Sequence, residues 1–403
     1  MKLLNTIRRS YSTHLPKNAL TFSNRQTLTT TESSICEPTL YFNDDTAECH
    51  VSMYPYYVKN GILRQEDKEL NDVVKRFDNV CYYTGPEREL YSSFVLLNFY
   101  KILESPDKLT SANLKKASML AWCYEMVGTA FLLEDDIMDN TEMRWKKKCY
   151  HRQKKIGLTA LTDTKLLYMS AFKVLRKYFS DNPFYGQLIN LLSETIFITS
   201  LGQSADVNTN LEFKKTKNLK TFSYKKYNSI AKCKTGFILY KGPPLAAMYL
   251  AQINNKKCLH YFSEVCDKFA IYRQAQDDVW DVYGDFNLYG KLGNDISNGK
   301  CTWLIVTAMH HASEHQLKLL QKHYGQENTD SQNIVRQVYK DIDVLSKFSE
   351  YKYKLIDELT KDITNISVKP LRELCYRHVE QYIDIDEQFL NYTEQNEIKE
   401  QSV

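Results

Sequence analysis

The sequence predicts an all-α bundle of helices around a central cavity. Only 13 Gly and 9 Pro occur in 403 residues, too little turn chemistry for a many-stranded sheet. Leu, Lys, Glu, Ala and Tyr recur at three- and four-residue steps over long stretches. Several of these stretches are apolar on more than one face, which suits helices inside a bundle. Length alone allows one large domain or two or three ordinary ones, and the scarcity of helix breakers favours one. Residues 51–403 are therefore expected to form the helical domain, with 1–50 a polar extension.

In chain order, the periodicity predicts helices over `YSSFVLLNFYKIL` (91–103), `LKKASMLAWCYEMVGTAFLLEDDIMD` (114–139) and `KLLYMSAFKVLRKYF` (165–179). It predicts two more over `YGQLINLLSETIFITSLGQSADV` (185–207) and `LHYFSEVCDKFAIYRQAQDDVWDVYGD` (259–285). Between those two lies a helical run broken at Gly236 and again at Gly242-Pro243-Pro244. The expectation there is a kinked core helix, with carbonyls freed near Thr235 and Gly236. Residues 321–333 read as a polar connector, and 334–363 as further amphipathic helices. No repeat of solenoid period is present.

Charge excludes some functions. A net charge of +4, from 53 basic and 49 acidic residues, gives no argument for a nucleic-acid partner. No apolar run reaches the roughly 18 to 20 residues of a membrane span. Ten cysteines, with no C-x-x-C pair, read as free thiols in a reducing compartment. The first thirty residues are rich in Ser and Thr, carry Lys2, Arg8, Arg9, Lys17 and Arg25, and have no acid before Glu32. That is the composition of a mitochondrial transit peptide, and `RRSYST` suits cleavage after Tyr11. A mitochondrial location is expected, with a cytoplasmic one as the alternative if this stretch is only a disordered tail.

The chemistry is concentrated in acidic helix ends. Asp135, Asp136 and Asp139 form D-D-x-x-D at the end of an apolar helix, where mutual repulsion and the negative end of the dipole both call for a cation. Asp277, Asp278 and Asp281 repeat the spacing on a second helix, and Asp285 follows one turn on. Single acidic triplets are commonly solvated faces, but two copies on two core helices are not. A di-iron site would need Glu-x-x-His pairs, which neither segment has. Hard divalent cations such as Mg²⁺ suit the carboxylates, taking phosphate oxygens and water as further ligands. Arg144, Lys234, Lys291 and Lys300 supply the positive charge that a diphosphate needs.

`EDDIMDNTEMR`, `QAQDDVWDVYGD`, `GKLGNDISNGKCTWLIV`, `WCYEM`, `GQSADV` and `CKTGF` together resemble, in order and spacing, the trans-isoprenyl diphosphate synthases. The animal farnesyl diphosphate synthases are the nearest among them, over roughly residues 50 to 390. The resemblance implies an isoprenoid synthase-type bundle, a homodimer, and three Mg²⁺ ions held by Asp135, Asp136, Asp139, Asp277, Asp278 and Asp281. It also implies an allylic prenyl diphosphate substrate, bound and ionised with Asp135, Asp139, Arg144, Gln203, Asp206, Lys234, Thr235, Gln274, Asp277, Asp281 and Lys291.

The second substrate site departs from the family pattern. Counting from `YKIL`, the family's lysine and arginine fall at Glu89 and Ser92. Its glutamine falls at Gly128, and the second residue of its Arg-Arg pair at Trp145. A charge-assisted hydrogen bond contributes about 1.5 to 3 kcal/mol, so losing three cations should weaken isopentenyl diphosphate by several powers of ten. The sequence thus also resembles insect terpene synthases derived from this family. The expectation is Mg²⁺-dependent ionisation of farnesyl diphosphate with release of a sesquiterpene, and the resemblance alone implies its use as a pheromone or in defence. The alternative is a farnesyl or geranyl diphosphate synthase whose second site is rebuilt, through Arg88 or Lys146 to Lys148. A third reading, a non-catalytic binding subunit, conflicts with the complete Asp and Lys set. At the cavity floor, five and four residues before the first motif, stand Ala130 and Phe131, one ring fewer than in the family. Phe237, Tyr240 and Trp280 are the aromatic candidates for facing a carbocation.

Overall fold

The computed structural model describes residues 68–83, 90–144, 147–284 and 293–380. The expected transit segment, the 1–50 extension, Asp285, and the positions 88, 89, 145, 146 and 291 lie outside the described residues. The all-α expectation holds: among the described residues the only strands are the two-residue pair Met143–Arg144 (β1) and Lys147–Lys148 (β2), and the other regular elements are helices.

The chain runs through α1 (Asn71–Tyr83), α2 (Tyr91–Leu103), α3 (Ser111–Met138), α4 (Ala160–Phe179) and α5 (Tyr185–Thr216). A short α6 (Tyr224–Ile230) leads into a π-helix (Ala231–Lys241) and α7 (Gly242–Leu250). Then follow α8 (Lys256–Tyr283), α9 (Asp295–Asn298), α10 (Trp303–His311), α11 (Glu314–His323), α12 (Thr329–Asp341) and α13 (Val344–Ile363), with a last helix, α14, over 369–380.

Side-chain caps fix several starts. Thr110 caps α3 by accepting from Asn113 N–H at 3.3 Å, and Asn255 caps α8 from Cys258 N–H at 3.0 Å. Ser313 and Gln316 form a reciprocal capping box on α11. The α11 and α12 boundaries correct the expected connector. Residues 321–323 close α11 and 329–333 open α12, because Asn328 caps α12 through Ser331 N–H at 2.8 Å.

α3, about 42 Å long at 1.5 Å per residue, is largely buried, and α5 buries one stripe, from Leu188 to Phe213, while its other face is exposed. The π-helix packs between α5 and α8, α2 lies against α3 and α7, and α4 covers α3. The interruption expected at the prolines takes a different form. Gly242 N–H reaches Phe237 O, the i→i−5 bond of a π-helix, and the two prolines open the next helix in its first turn, where no N–H is needed. The carbonyl with only prolines four and five residues ahead is that of Leu239, not those of Thr235 or Gly236. Small residues permit this packing. A Cβ on Gly236 would stand 2.6 Å from the Ala270 side chain of α8. No helix among the described residues is long and apolar enough to cross a membrane.

Candidate active site

A cavity of about 540 Å³ opens where α3, α5, the π-helix and α8 converge. On α3 it is bordered by Gly128, Phe131, Leu132, Asp135 and Asp139, a helical stripe at three- and four-residue steps. Ala130 is off that stripe and fully buried on another face, which corrects its expected place in the floor. Phe131 does border the cavity, its ring edge-on to Tyr168 at 5.3 Å. Tyr168 in turn donates to Glu134 at 3.0 Å.

The same stripe sorts the aspartates. Asp135 and Asp139 face the cavity, whereas Asp136, one residue over, is 1 % exposed and binds Arg144 through Nε at 2.8 Å and Nη2 at 2.7 Å. Asp136 is therefore the counter-charge of Arg144 and lies off the cavity, away from the place expected of it among the metal ligands. Arg144 borders the cavity, but with Asp135 only at 3.7 Å its guanidinium is committed first to Asp136. On α8, Asp277, Asp278 and Asp281 all border the cavity. Asp278 is 3 % exposed and accepts from Trp303 N–H at 2.7 Å and from Gln274 Nε2 at 2.9 Å. Burial holds its carboxyl up at about 7 despite those two donors. Unlike Asp136, Asp278 stays at the cavity wall, with its two oxygens engaged by Gln274 and Trp303, and its expected role as a metal ligand is a proposal.

Two lysines tie the walls together. Lys234 of the π-helix lies 2.9 Å from Asp135 and 2.7 Å from Asp206 of α5. Lys300, just before α10, lies 2.6 Å from Asp139 and 2.9 Å from Asp206. Gln203 donates to Asp135 at 3.0 Å. Burial alone would push both ammonium groups down, but the surrounding aspartates outweigh it and raise them. Burial works against the Asp135 carboxylate, and Lys234, Lys300 and Arg144 override it to hold that group well below the usual range. For Asp139, burial and the neighbouring Asp135 charge win and raise it. Thr235 donates its hydroxyl to Gln274 Oε1, so the next π-helix residue is also joined to α8.

Among the described residues no three His, Cys, Asp or Glu side chains alone enclose a metal position. The donor chemistry nevertheless fits a hard cation. Asp135, Asp139, Asp277 and Asp281 bring carboxylate oxygens from two helix ends to one cavity. Asp277 stands exposed there with no hydrogen bond from a described residue. Magnesium needs only one or two protein carboxylates when phosphate oxygens and water complete its shell.

Of the aromatic candidates, Tyr240 and Trp280 border the cavity and Phe237 does not. Phe237 lies beneath Lys241, 5.4 Å from its ammonium. Trp280 already carries a cation, the Arg273 guanidinium 4.6 Å above its ring. Sequence reasoning missed Arg273 and Thr199. Thr195, Ser200, Thr209 and Thr216 of α5 all donate to the carbonyl four residues back. Thr199 Oγ1, buried at the cavity, has no partner among the described residues. Its place one turn before Gln203 was the available signal.

The family model described as polyprenyl synthetase matches residues 80–342. Farnesyl pyrophosphate synthase of Gallus gallus is 32% identical over 300 residues, spanning 74% of this chain and 81% of that protein. Farnesyl pyrophosphate synthase of Nezara viridula is 29% identical over 317 residues, 79% of this chain and 77% of its own length. The solved structure of T. brucei farnesyl diphosphate synthase complexed with bisphosphonate BPH-722 superposes with a TM-score of 0.76 at 22% identity. It covers 83% of this chain and 96% of its own. At that identity the superposition speaks for the fold alone.

Proposed function

The chain belongs to the polyprenyl synthetase family, and from that premise we propose that it is a prenyltransferase of the farnesyl diphosphate synthase kind. In this reading it ionises an allylic prenyl diphosphate and joins the prenyl group to isopentenyl diphosphate. The observation that carries the ionising half is the lysine-aspartate array at the cavity: Lys234 and Lys300 converge on Asp206 and reach Asp135 and Asp139. A polyanion that displaces the aspartates from these ammonium groups finds two cations already positioned.

Magnesium, three ions in this reading, would be held by Asp135, Asp139, Asp277 and Asp281 and would act as a Lewis acid on the departing diphosphate oxygens. Lys234 and Lys300 cover oxygens as negative charge develops on them, and Gln203 keeps Asp135 oriented. Phe131, Leu132, Ile230 and Ile238 give the prenyl chain an apolar bed and exclude water from the reacting carbon. Tyr240 and Thr199, which also border the cavity, are groups that can offer partial negative charge to a carbocation.

A second reading, the terpene synthase outcome, has a specific observation in its favour. Ser92 and Gly128 stand where the family has Arg and Gln, and they are neighbours: a Cβ on Gly128 would lie 3.6 Å from Ser92 Oγ. Two departures inferred from separate motifs thus fall on one spot, and neither side chain carries charge. The relatives from Gallus gallus, Bos taurus and Nezara viridula are farnesyl pyrophosphate synthases, which weighs more toward the transferase. Incubation with ¹⁴C-isopentenyl diphosphate and an allylic diphosphate decides the matter. Labelled, longer diphosphates support transfer, whereas unlabelled hydrocarbon or alcohol from farnesyl diphosphate alone supports the lyase, with its pheromone or defence use.

Homodimerisation is part of the proposal. Phe197 and Leu201 of α5 are 57% and 49% exposed, one turn apart, and Met169 of α4 is 56% exposed. A mitochondrial address for residues 1–30 is likewise proposed, to be checked by imaging a fusion of that segment to a fluorescent protein.

A further inference from the structure

We infer that Tyr324, which does not border the cavity, is a positioning residue for Lys300. The inference rests on the diphosphate reading above. Lys300 has no helix of its own to hold it: it lies in the short segment between α9 and α10, after Gly299 at φ +68°. Its ammonium must nevertheless meet two carboxylates from two helices, Asp139 at 2.6 Å and Asp206 at 2.9 Å. Something has to fix the main chain at this point.

Tyr324 does so. Its hydroxyl donates to the Lys300 carbonyl at 2.6 Å, and the same oxygen accepts Thr302 N–H at 3.0 Å. The tyrosine is fully buried, its ring held by Phe213 at 5.7 Å and Phe222 at 6.1 Å. Phe213 is on α5, two turns beyond Asp206 and on the same face. One helix therefore holds Lys300 twice, directly through Asp206 and indirectly through Phe213 and Tyr324. The glycines beside the clamp leave room for it. A Cβ on Gly299 or Gly325 would press to 3.0 Å on the Phe213 ring. Gly325 N–H also binds Ile296 O at 2.9 Å, joining the end of α11 to α9. A tyrosine at this place in an ordinary core would need only its ring; here the hydroxyl is spent on the backbone of a lysine at the site.

The test is a double-mutant cycle read by calorimetric titration with inorganic pyrophosphate and Mg²⁺. Lys300→Gln should weaken binding at least about tenfold, the loss of one charge-assisted contact. Tyr324→Phe, which removes one oxygen and keeps the ring, should weaken it severalfold in the wild-type background and not at all in Lys300→Gln. Binding is measured below the melting point of every variant, so a stability loss common to both backgrounds cancels in the cycle. Equal losses in both backgrounds, or wild-type affinity for Tyr324→Phe, overturn the inference. Full affinity in Lys300→Gln overturns the diphosphate reading, and the inference with it.

Discussion

Gly202 of α5 faces the main chain of Lys234 so closely that a methyl group on it would come within 2.1 Å of the Lys234 nitrogen. The obstacle is backbone, which cannot swing aside as a side chain would. Gly202→Ala should therefore push the π-helix away from α5, at a cost near or above the upper end of the ~1–3 kcal/mol usual for overpacking. Because Lys234 moves with the π-helix, turnover should fall about a hundredfold, the penalty of an ångström-scale misplacement. Urea unfolding and steady-state rates on the folded fraction check both numbers.

Asp136 and Asp277 occupy the second and first places of their motifs and should behave oppositely. Asp136→Asn leaves Arg144 buried beside a neutral group, so stability should drop about 3 to 5 kcal/mol while the Mg²⁺ concentration for half-maximal rate stays put. Asp277→Asn touches an exposed carboxylate with no hydrogen bond from a described residue, so stability should change by less than about 0.5 kcal/mol. Its rate should fall roughly 100- to 1000-fold and its Mg²⁺ requirement should rise. Magnesium titrations paired with urea melts distinguish the two patterns.

Stability against pH should reveal two buried groups of opposite sign. His378, ringed by Phe99 and Phe269, is held down at about 4 by burial from an ordinary 6.5. Its contribution is complete above 6.5 and is lost as pH falls toward 4. Asp278 is raised from 3.8 to about 7, so its contribution is complete below 3.8 and is lost as pH rises through 7. Between about pH 4 and 6.5 the two offset one another. His378→Phe should then become less stable, relative to wild type, as pH rises through that window, and Asp278→Asn less stable as it falls. Each slope amounts to about 3 kcal/mol over the window, at 1.36 kcal/mol per pH unit. Parallel curves for wild type and either variant in metal-free buffer would refute the assignment.

Phe197→Glu with Leu201→Glu places two charges on the exposed apolar face of α5. Both side chains already meet solvent, so the monomer should stay folded while a dimer dissociates. Light scattering after size exclusion should give half the wild-type mass with an unchanged helical circular dichroism spectrum.

Helix content and cavity-facing stripes were legible because they follow from period alone. Tyr91–Leu103 begins and ends where its apolar pattern does, and Asp135, Asp139, Gln203 and Asp206 fall on inward faces at helical steps. Period cannot say which of two adjacent aspartates is tied up by a neighbour, since that depends on where Arg144 and the Trp303 N–H lie, 8 and 25 residues away. The π-helix was illegible for a related reason. Its extra residue per turn is fixed by the close approaches at Gly202 and Gly236, made across helices to Lys234 and Ala270. Lys300 was visible as a charge, but its position depends on Tyr324, 24 residues on.

The choice between transfer and release can be forced by rebuilding the second site. Ser92 is buried on α2, and a Gly128 Cβ would meet its oxygen at an ordinary van der Waals distance of 3.6 Å, so the first carbon of a side chain at 128 meets no backbone. Ser92→Arg with Gly128→Gln restores one cation and one amide beside the cavity, worth about 1.5 to 3 kcal/mol for the charged contact, or roughly 10- to 150-fold in affinity. If the second substrate is limited by that missing charge, the variant should lower the KM for isopentenyl diphosphate by that factor and shift product from hydrocarbon to longer diphosphate. An unchanged KM, with the wild-type chain already adding C5 units efficiently, would mean that the second diphosphate is held by other cations and that the transferase reading needs no repair at residues 92 and 128.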